Sequence, residues 1–166
     1  VHDFMEVMAI AWLHFIRLFA PPMVERGWGR IANIASLAAF APEVDGALYS
    51  GVKAQMVTTS RGLHRRFRGS GVHCTAICPG FTYSEFHKRL GMPDVADGMP
   101  RWMWQSAEAV VAEGWAACER NRPVVVTGTA NKVIRGLLAV IPTPLAERLT
   151  PRSIENIRTR KSTASG

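Results

Sequence analysis

The sequence predicts an α/β fold in which a parallel sheet is covered on both faces by helices. Short apolar runs, "RIANIAS" (30–36), "GVHCTAICPG" (71–80) and "RPVVVTG" (122–128), alternate with longer helical patterns. Each run is apolar throughout rather than at every second residue, the pattern of strands buried on both faces. Right-handed crossovers through the intervening helices then set the three strands side by side.

The elements follow in order. "DFMEVMAIAWLHFIRLFAPPMVE" (3–25) reads as a helix, apolar on more than one face through Val7, Ile10, Ala11, Leu13, Phe15, Ile16, Leu18 and Phe19. Such a helix is expected between neighbours rather than on a surface. "GWG" (27–29) breaks the chain before the first strand. After a loop with Pro42 and Gly46 the helical pattern resumes over 48–68, and Pro79-Gly80 ends the second strand. A stretch rich in Gly, Pro and Met runs from Phe81 to about Arg101. Ser106 reads as the N-cap of a helix reaching Asn121, and a further helix is expected over about 130–140, after the third strand. Pro142, Pro144 and Pro151 mark what remains as a tail. The expected organisation is a folded part over 1–141 and a partly disordered tail over 142–166.

Bulk properties narrow the function. At 166 residues, 48% hydrophobic and 20% charged, the chain is long enough for one domain with its own core. No unbroken apolar stretch reaches the ~18 residues of a membrane span, and no secretory leader opens the sequence. Cys74, Cys78 and Cys118 are odd in number and lack metal-type spacing, so they read as buried free thiols in a reducing, cytoplasmic compartment, with no metal site. The net charge of +7 is concentrated in "RGLHRRFRG" (61–69) and "RSIENIRTRKS" (152–162). The first cluster closes a helix, where cations complement the dipole. Without an aromatic platform or finger spacing, nucleic acid is not an expected partner.

The chemistry-bearing stretch is "LYSGVK" (48–53). Tyr49 and Lys53 are four apart on a helix and share a face. Ser36 stands thirteen residues before Tyr49, at the end of a strand. A free tyrosine has a pKa near ~10, and moving it to about 7 takes roughly 4 kcal/mol of preferential phenolate stabilisation. An ammonium ~5 Å away supplies about 3 kcal/mol at an effective dielectric of ~20, but under ~1 kcal/mol in bulk water. Lys53 can therefore tune Tyr49 only in a partly dry pocket. Taken singly, each residue also has a plain reading: Ser36 ends a strand, Tyr49 is a half-buried aromatic, Lys53 an exposed lysine.

With Ser36, Tyr49 and Lys53 in register with "PPMVERGWGRIANIASLAAF" (21–40) and "PGFTYSEF" (79–86), the sequence resembles the short-chain dehydrogenase/reductase family over about residues 3–128. That resemblance implies a Rossmann-like, three-layer αβα fold, here reduced to about three strands with flanking helices. It implies Tyr49 as the acid/base, Lys53 as its pKa tuner and ribose ligand, and Ser36 as the clamp on the substrate oxygen. Pro79, Gly80, Phe81, Thr82 and Ser84 match the family's P-G-x-x-x-T stretch beside the nicotinamide, Ser84 replacing the threonine. The implied cofactor is NAD or NADP, and the implied substrate a small-molecule alcohol or carbonyl compound. Helices 3–25 and 48–68 would form the interface of a homo-oligomer. The alternative is a non-catalytic remnant serving as an interaction or oligomerisation subunit.

Two departures stand beside the resemblance. The glycine-rich phosphate turn T-G-x-x-x-G-x-G is not in the sequence, nor is the rest of the first mononucleotide-binding half. Met8 occupies the place of a family asparagine that relays protons to the lysine, and methionine cannot hold a water by two strong hydrogen bonds. His14 lies too far along the helix to take over. The strand at 30–36 is expected to be an open, apolar sheet edge, which invites self-association.

Overall fold

A computed structural model describes residues 1–40, 47–84 and 100–140. The expected tail (142–166) and most of the Gly-, Pro- and Met-rich stretch after Phe81 lie outside the described residues. The main sheet has three parallel strands in the order β1 (Gly29–Ile34), β2 (Val72–Cys78), β5 (Val124–Val126). Residues at alternate positions of β2 go to opposite layers, as the period of two requires. Val72, Cys74, Ala76 and Cys78 belong to the clusters that α2 (Ala11–Glu25) and α3 (Ala47–Arg66) help to build. His73, Thr75 and Ile77 meet the layer of α4 (Ala107–Glu119): His73 Nδ1 lies 2.8 Å from the Cys118 carbonyl, and Gly114 leaves room for Ile77. The result is the expected three-layer αβα arrangement.

Local chemistry sets the element ends. Ser106 caps α4, its Oγ accepting from Ala109 N–H at 3.2 Å. Arg30 on β1 ties the sheet to the end of α4 through two bonds to Glu119, at 3.0 and 3.2 Å. A final helix, α5 (Thr129–Val140), follows β5 directly. All three cysteines are free and buried. Burial pushes the Cys74 and Cys78 thiols up to about 12.

The structure departs from the sequence expectation in four places. A second, two-stranded parallel sheet joins β3 (Phe81–Tyr83) to β4 (Trp104–Ser106), so the described residues hold five strands rather than three. Trp104 is the reason, since its ring packs on Tyr83 at 4.9 Å and Phe81 at 5.3 Å between centroids. Next, β1 is buried on one face only: Ile31 and Ala35 face the core, while Ala32 is exposed and Ile34 is 51% exposed. It stands at the sheet edge, pairing only with β2 among the described residues.

The opening helix differs in packing and in winding. Only Ala9 and Ala20 are buried along it, and Val7, Phe15, Leu18 and Phe19 stand in the open. Its length and hydropathy would let His2–Glu25 cross a membrane, but Ile16, Ala20 and Met23 pack on Ile31, Val72 and Phe67 of the sheet layer. Between α1 (His2–Met5) and α2 the helix widens to a π turn over Glu6–Ile10, with Ala11 N–H bonded to the Glu6 carbonyl five residues back. Met8, at the asparagine position of the family, lies in the middle of that turn.

Gly71 precedes β2 at φ +76°, and a Cβ there would be driven into the Gly27 carbonyl oxygen. Gly69 has φ +79° with nothing nearby. Gly71→Ala is expected to cost about 2 kcal/mol or more in urea unfolding, and Gly69→Ala about 1 kcal/mol, because only the first adds a backbone collision to left-handed strain. Equal losses would contradict this packing.

Candidate active site

The carboxyl ends of β1 and β2 carry the predicted residues, where ligands bind in open α/β sheets. Two bonds hold these ends in register. Ala35 N–H donates to the Ile77 carbonyl at 2.7 Å, and Leu37 N–H to the Pro79 carbonyl at 2.8 Å. Ser36 is therefore fixed opposite the Pro79-Gly80 turn. Its Oγ accepts from Ala38 N–H at 3.1 Å, which orients the hydroxyl while leaving its hydrogen able to donate. A single 3-10 turn, Leu37–Phe40, follows.

Lys53 lies at the heart of the site and is 7% exposed. The sequence alone allowed an exposed lysine, whereas the structure buries it. Its Nζ donates to the Ile34 carbonyl at 2.9 Å, fastening α3 to the end of β1 two residues before Ser36. Burial holds the Lys53 ammonium below its ordinary pKa, with electrostatic interaction with Cys78 acting the other way. One turn earlier on the same face, the half-buried Tyr49 ring has its centroid 5.6 Å from Nζ. Lys53 and Tyr49 thus share one face of α3, and the lysine is bonded two residues before Ser36.

The residues after β2 divide. The Pro79-Gly80 turn faces the Ser36 segment, and Thr82 Oγ1 donates back to the Gly80 carbonyl at 3.2 Å. Phe81 opens β3, and Ser84 lies just past its end and is exposed.

Sequence reasoning missed the support behind this turn. Asn131, 2% exposed, is pressed so close to Gly80 that a Cβ there would meet its amide nitrogen at 2.6 Å. Asn131 Nδ2 donates to the Thr127 carbonyl at 2.9 Å, and Thr127 Oγ1 bonds the Gln105 amide at 2.9 Å. Gly128 N–H donates to Glu113 at 2.8 Å, and Glu113 pairs with Lys132. This network ties β4, β5, α4 and α5 to the Pro-Gly turn. Asn131 sits among ordinary helix residues, so no spacing in the sequence signalled it.

With this geometry in view, the comparisons with known proteins fall into place. The sequence profile described as "short chain dehydrogenase" matches residues 1–93. The chain belongs to the short-chain dehydrogenase family. The ketoacyl reductase HetN of Nostoc is 28% identical over 149 residues, 89% of this chain and 50% of that protein. The 1-deoxy-11-beta-hydroxypentalenate dehydrogenase of Streptomyces exfoliatus is 31% identical over 114 residues, 67% of this chain and 40% of that protein. Among solved structures, a short-chain dehydrogenase of Burkholderia cenocepacia in complex with NADP aligns at TM-score 0.72 and 24% identity, covering 89% of this chain and 58% of that one. A gluconate 5-dehydrogenase of the same organism, in complex with NADP and tartrate, aligns at TM-score 0.67 and 18% identity, covering 80% and 56%. These likenesses establish the Rossmann-like fold. The chain spans about half the length of the curated relatives it matches.

The depressed Lys53 pKa makes a stability prediction. Between the folded pKa and the ordinary value of 10.5, the unfolded chain binds more protons than the folded one, so stability rises with pH across that window. The stability of the natural protein minus that of Lys53→Met is expected to be flat below the window and to climb within it. Urea unfolding of both proteins at a series of pH values measures the difference, and a flat difference up to pH 10.5 would show that Lys53 is not desolvated.

Proposed function

We propose that the protein is the reacting-end portion of an NAD(P)-dependent short-chain oxidoreductase acting on an alcohol or carbonyl compound. The observation that carries this reading is Lys53, buried, bonded to the Ile34 carbonyl and 5.6 Å from the Tyr49 ring. The family membership, the reductase and dehydrogenase relatives and the NADP-bound neighbours support a nicotinamide cofactor. They do not distinguish NAD from NADP.

The residues present fit the nicotinamide end of such a cofactor. Lys53 and Tyr49 offer a buried cation and a hydroxyl for the ribose, and the Pro79–Thr82 turn closes the opposite side. Nothing in the sequence forms the glycine-rich cradle for the pyrophosphate. When bound, the cofactor would supply or accept the hydride. Ser36 would donate its hydroxyl hydrogen to the substrate oxygen and hold it in place. Tyr49 would pass a proton to that oxygen in reduction and take it back in oxidation. Lys53 would favour the phenolate and so bring the Tyr49 proton within reach of neutral pH.

Tyr49→Phe in the polypeptide as the gene encodes it is expected to lower kcat at least 1,000-fold, roughly 4 kcal/mol, while leaving NADH or NADPH affinity within about threefold. Stopped-flow nicotinamide absorbance with an alcohol and ketone panel, beside a fluorescence titration of cofactor, makes the comparison. Unchanged turnover in Tyr49→Phe would sink the assignment.

A second reading, an interaction subunit, has its own observation. Phe15 and Phe19 are 62% and 52% exposed, stacked at 6.4 Å, and Leu18 beside them is 66% exposed. An apolar face of that kind marks an association surface, here between the opening helices and α3 of two copies. Sedimentation of the natural chain is expected to give a dimer or larger, and Phe15→Glu with Phe19→Glu a monomer. A natural chain that sediments as a monomer at tens of micromolar would remove this surface as an interface.

A further inference from the structure

Arg135 on α5 is a half-buried cation that the reaction scheme does not use. Its Cζ lies 4.3 Å from the centroid of the Phe40 ring. Phe40 ends the 3-10 turn that starts directly after Ser36, and it packs on the cluster of Ala35, Met56 and Cys78. The guanidinium is therefore mounted on a rigid ring four residues from the candidate clamp. Among the described residues, no carboxylate or carbonyl oxygen accepts a hydrogen bond from it. The nearby acid Glu113 is held by Lys132 and Gly128 N–H, and Glu119 by Arg30.

That geometry is selective. The Phe40 ring holds the guanidinium carbon over it, and a guanidinium seated on a ring keeps its edge N–H groups available as a fork. A partly desolvated fork of donors gains from an anion that completes it. The planar acceptor matching such a fork is a carboxylate. Burial raises the Cys78 thiol, the residue just before Pro79, while Arg61, Arg135 and Lys53 act electrostatically the other way, so Arg135 lies within electrostatic reach of that end of β2.

We propose that Arg135 binds the carboxylate of a hydroxy-acid or oxo-acid substrate, holding it so that its hydroxyl or carbonyl oxygen reaches Ser36 and Tyr49. The inference rests on the oxidoreductase reading above and adds the substrate class to it. It also gives α5, beyond the stretch that the family profile matches, a part in selecting substrate.

The test uses the polypeptide as encoded, with 3-hydroxybutyrate and 3-hydroxyoctanoate, each beside its methyl ester. Arg135→Met keeps the apolar stem over Phe40 and removes the charge, whereas Arg135→Lys keeps the charge and loses the fork. In the natural protein, the Arg135 Nε–Hε resonance is expected to shift saturably with an acid and not with its ester. In Arg135→Met, kcat/KM for the acid is expected to fall about 10- to 100-fold, the worth of a charge-assisted pair, with the ester unchanged and Arg135→Lys in between. Equal losses on acid and ester, or a resonance indifferent to both acids, would overturn the proposal. The two readings fail separately. Tyr49-dependent turnover with no preference for acids removes Arg135 alone. Saturable binding of an acid at Arg135, without any nicotinamide oxidation or reduction, removes the oxidoreductase reading and leaves the carboxylate site.

Discussion

The hydrogen bond from Lys53 Nζ to the Ile34 carbonyl is the contact on which the site depends. It joins two elements that the chain brings together only through a crossover, the end of β1 and the first turns of α3. Because Tyr49 lies one helical turn before Lys53, fixing the lysine also fixes the phenol. Because Ile34 lies two residues before Ser36, the same bond sets the hydroxyl. A buried ammonium is expensive, as its lowered pKa shows. On the proposed reading the expense has a chemical use, since the cation would act on the phenol through a low dielectric instead of through water. A surface lysine at the same spacing would be screened to a fraction of that effect.

The second constraint is the Pro79-Gly80 turn, held from two sides. Leu37 N–H bonds the Pro79 carbonyl on the Ser36 side. Behind the turn, Asn131 occupies the space that any residue but glycine at position 80 would need. Its Oδ1 is buried and finds no partner among the described residues. An isolated acceptor of that sort costs on the order of 1–3 kcal/mol, so close contact with the turn is bought at the expense of local stability. Asn131 is anchored in turn by Thr127 and Gln105, so the far end of the fold supports residues more than forty positions earlier in the chain.

What the sequence revealed follows from where its signals are local. The β2 run was legible because a strand covered on both faces is apolar at most positions, and every residue of it but His73 is buried. Ser106 could be assigned as an N-cap because capping is a contact between near neighbours. Tyr49 and Lys53 were visible because helical geometry alone puts residues four apart on one face. The pairing of β3 with β4 was hidden, since it depends on Trp104 reaching back some twenty residues to Phe81 and Tyr83. The π turn at Met8 was equally hidden, being a choice of winding that no local pattern encodes. Asn131 and Arg135 read as ordinary helix residues until the fold set one against Gly80 and the other over Phe40. The one-sided burial of the opening helix was misjudged for a related reason: apolar faces announce that they need partners, not whether those partners are in the same chain.

The distribution of parts along the chain has an energetic meaning. A phosphate cradle binds the cofactor equally before and during reaction, and so contributes affinity without lowering the barrier. On the proposed reading, the groups found here would act instead where charge and protons move: a hydroxyl at the substrate oxygen, a phenol at the proton, an ammonium at the phenol. Such interactions grow stronger as the reacting oxygen gains charge, and it is that growth which accelerates a reaction. The described residues thus include the three candidate reacting groups and none of the phosphate-binding glycines. Since the lysine is buried by β1 and α3 themselves, its desolvation is a property of these elements.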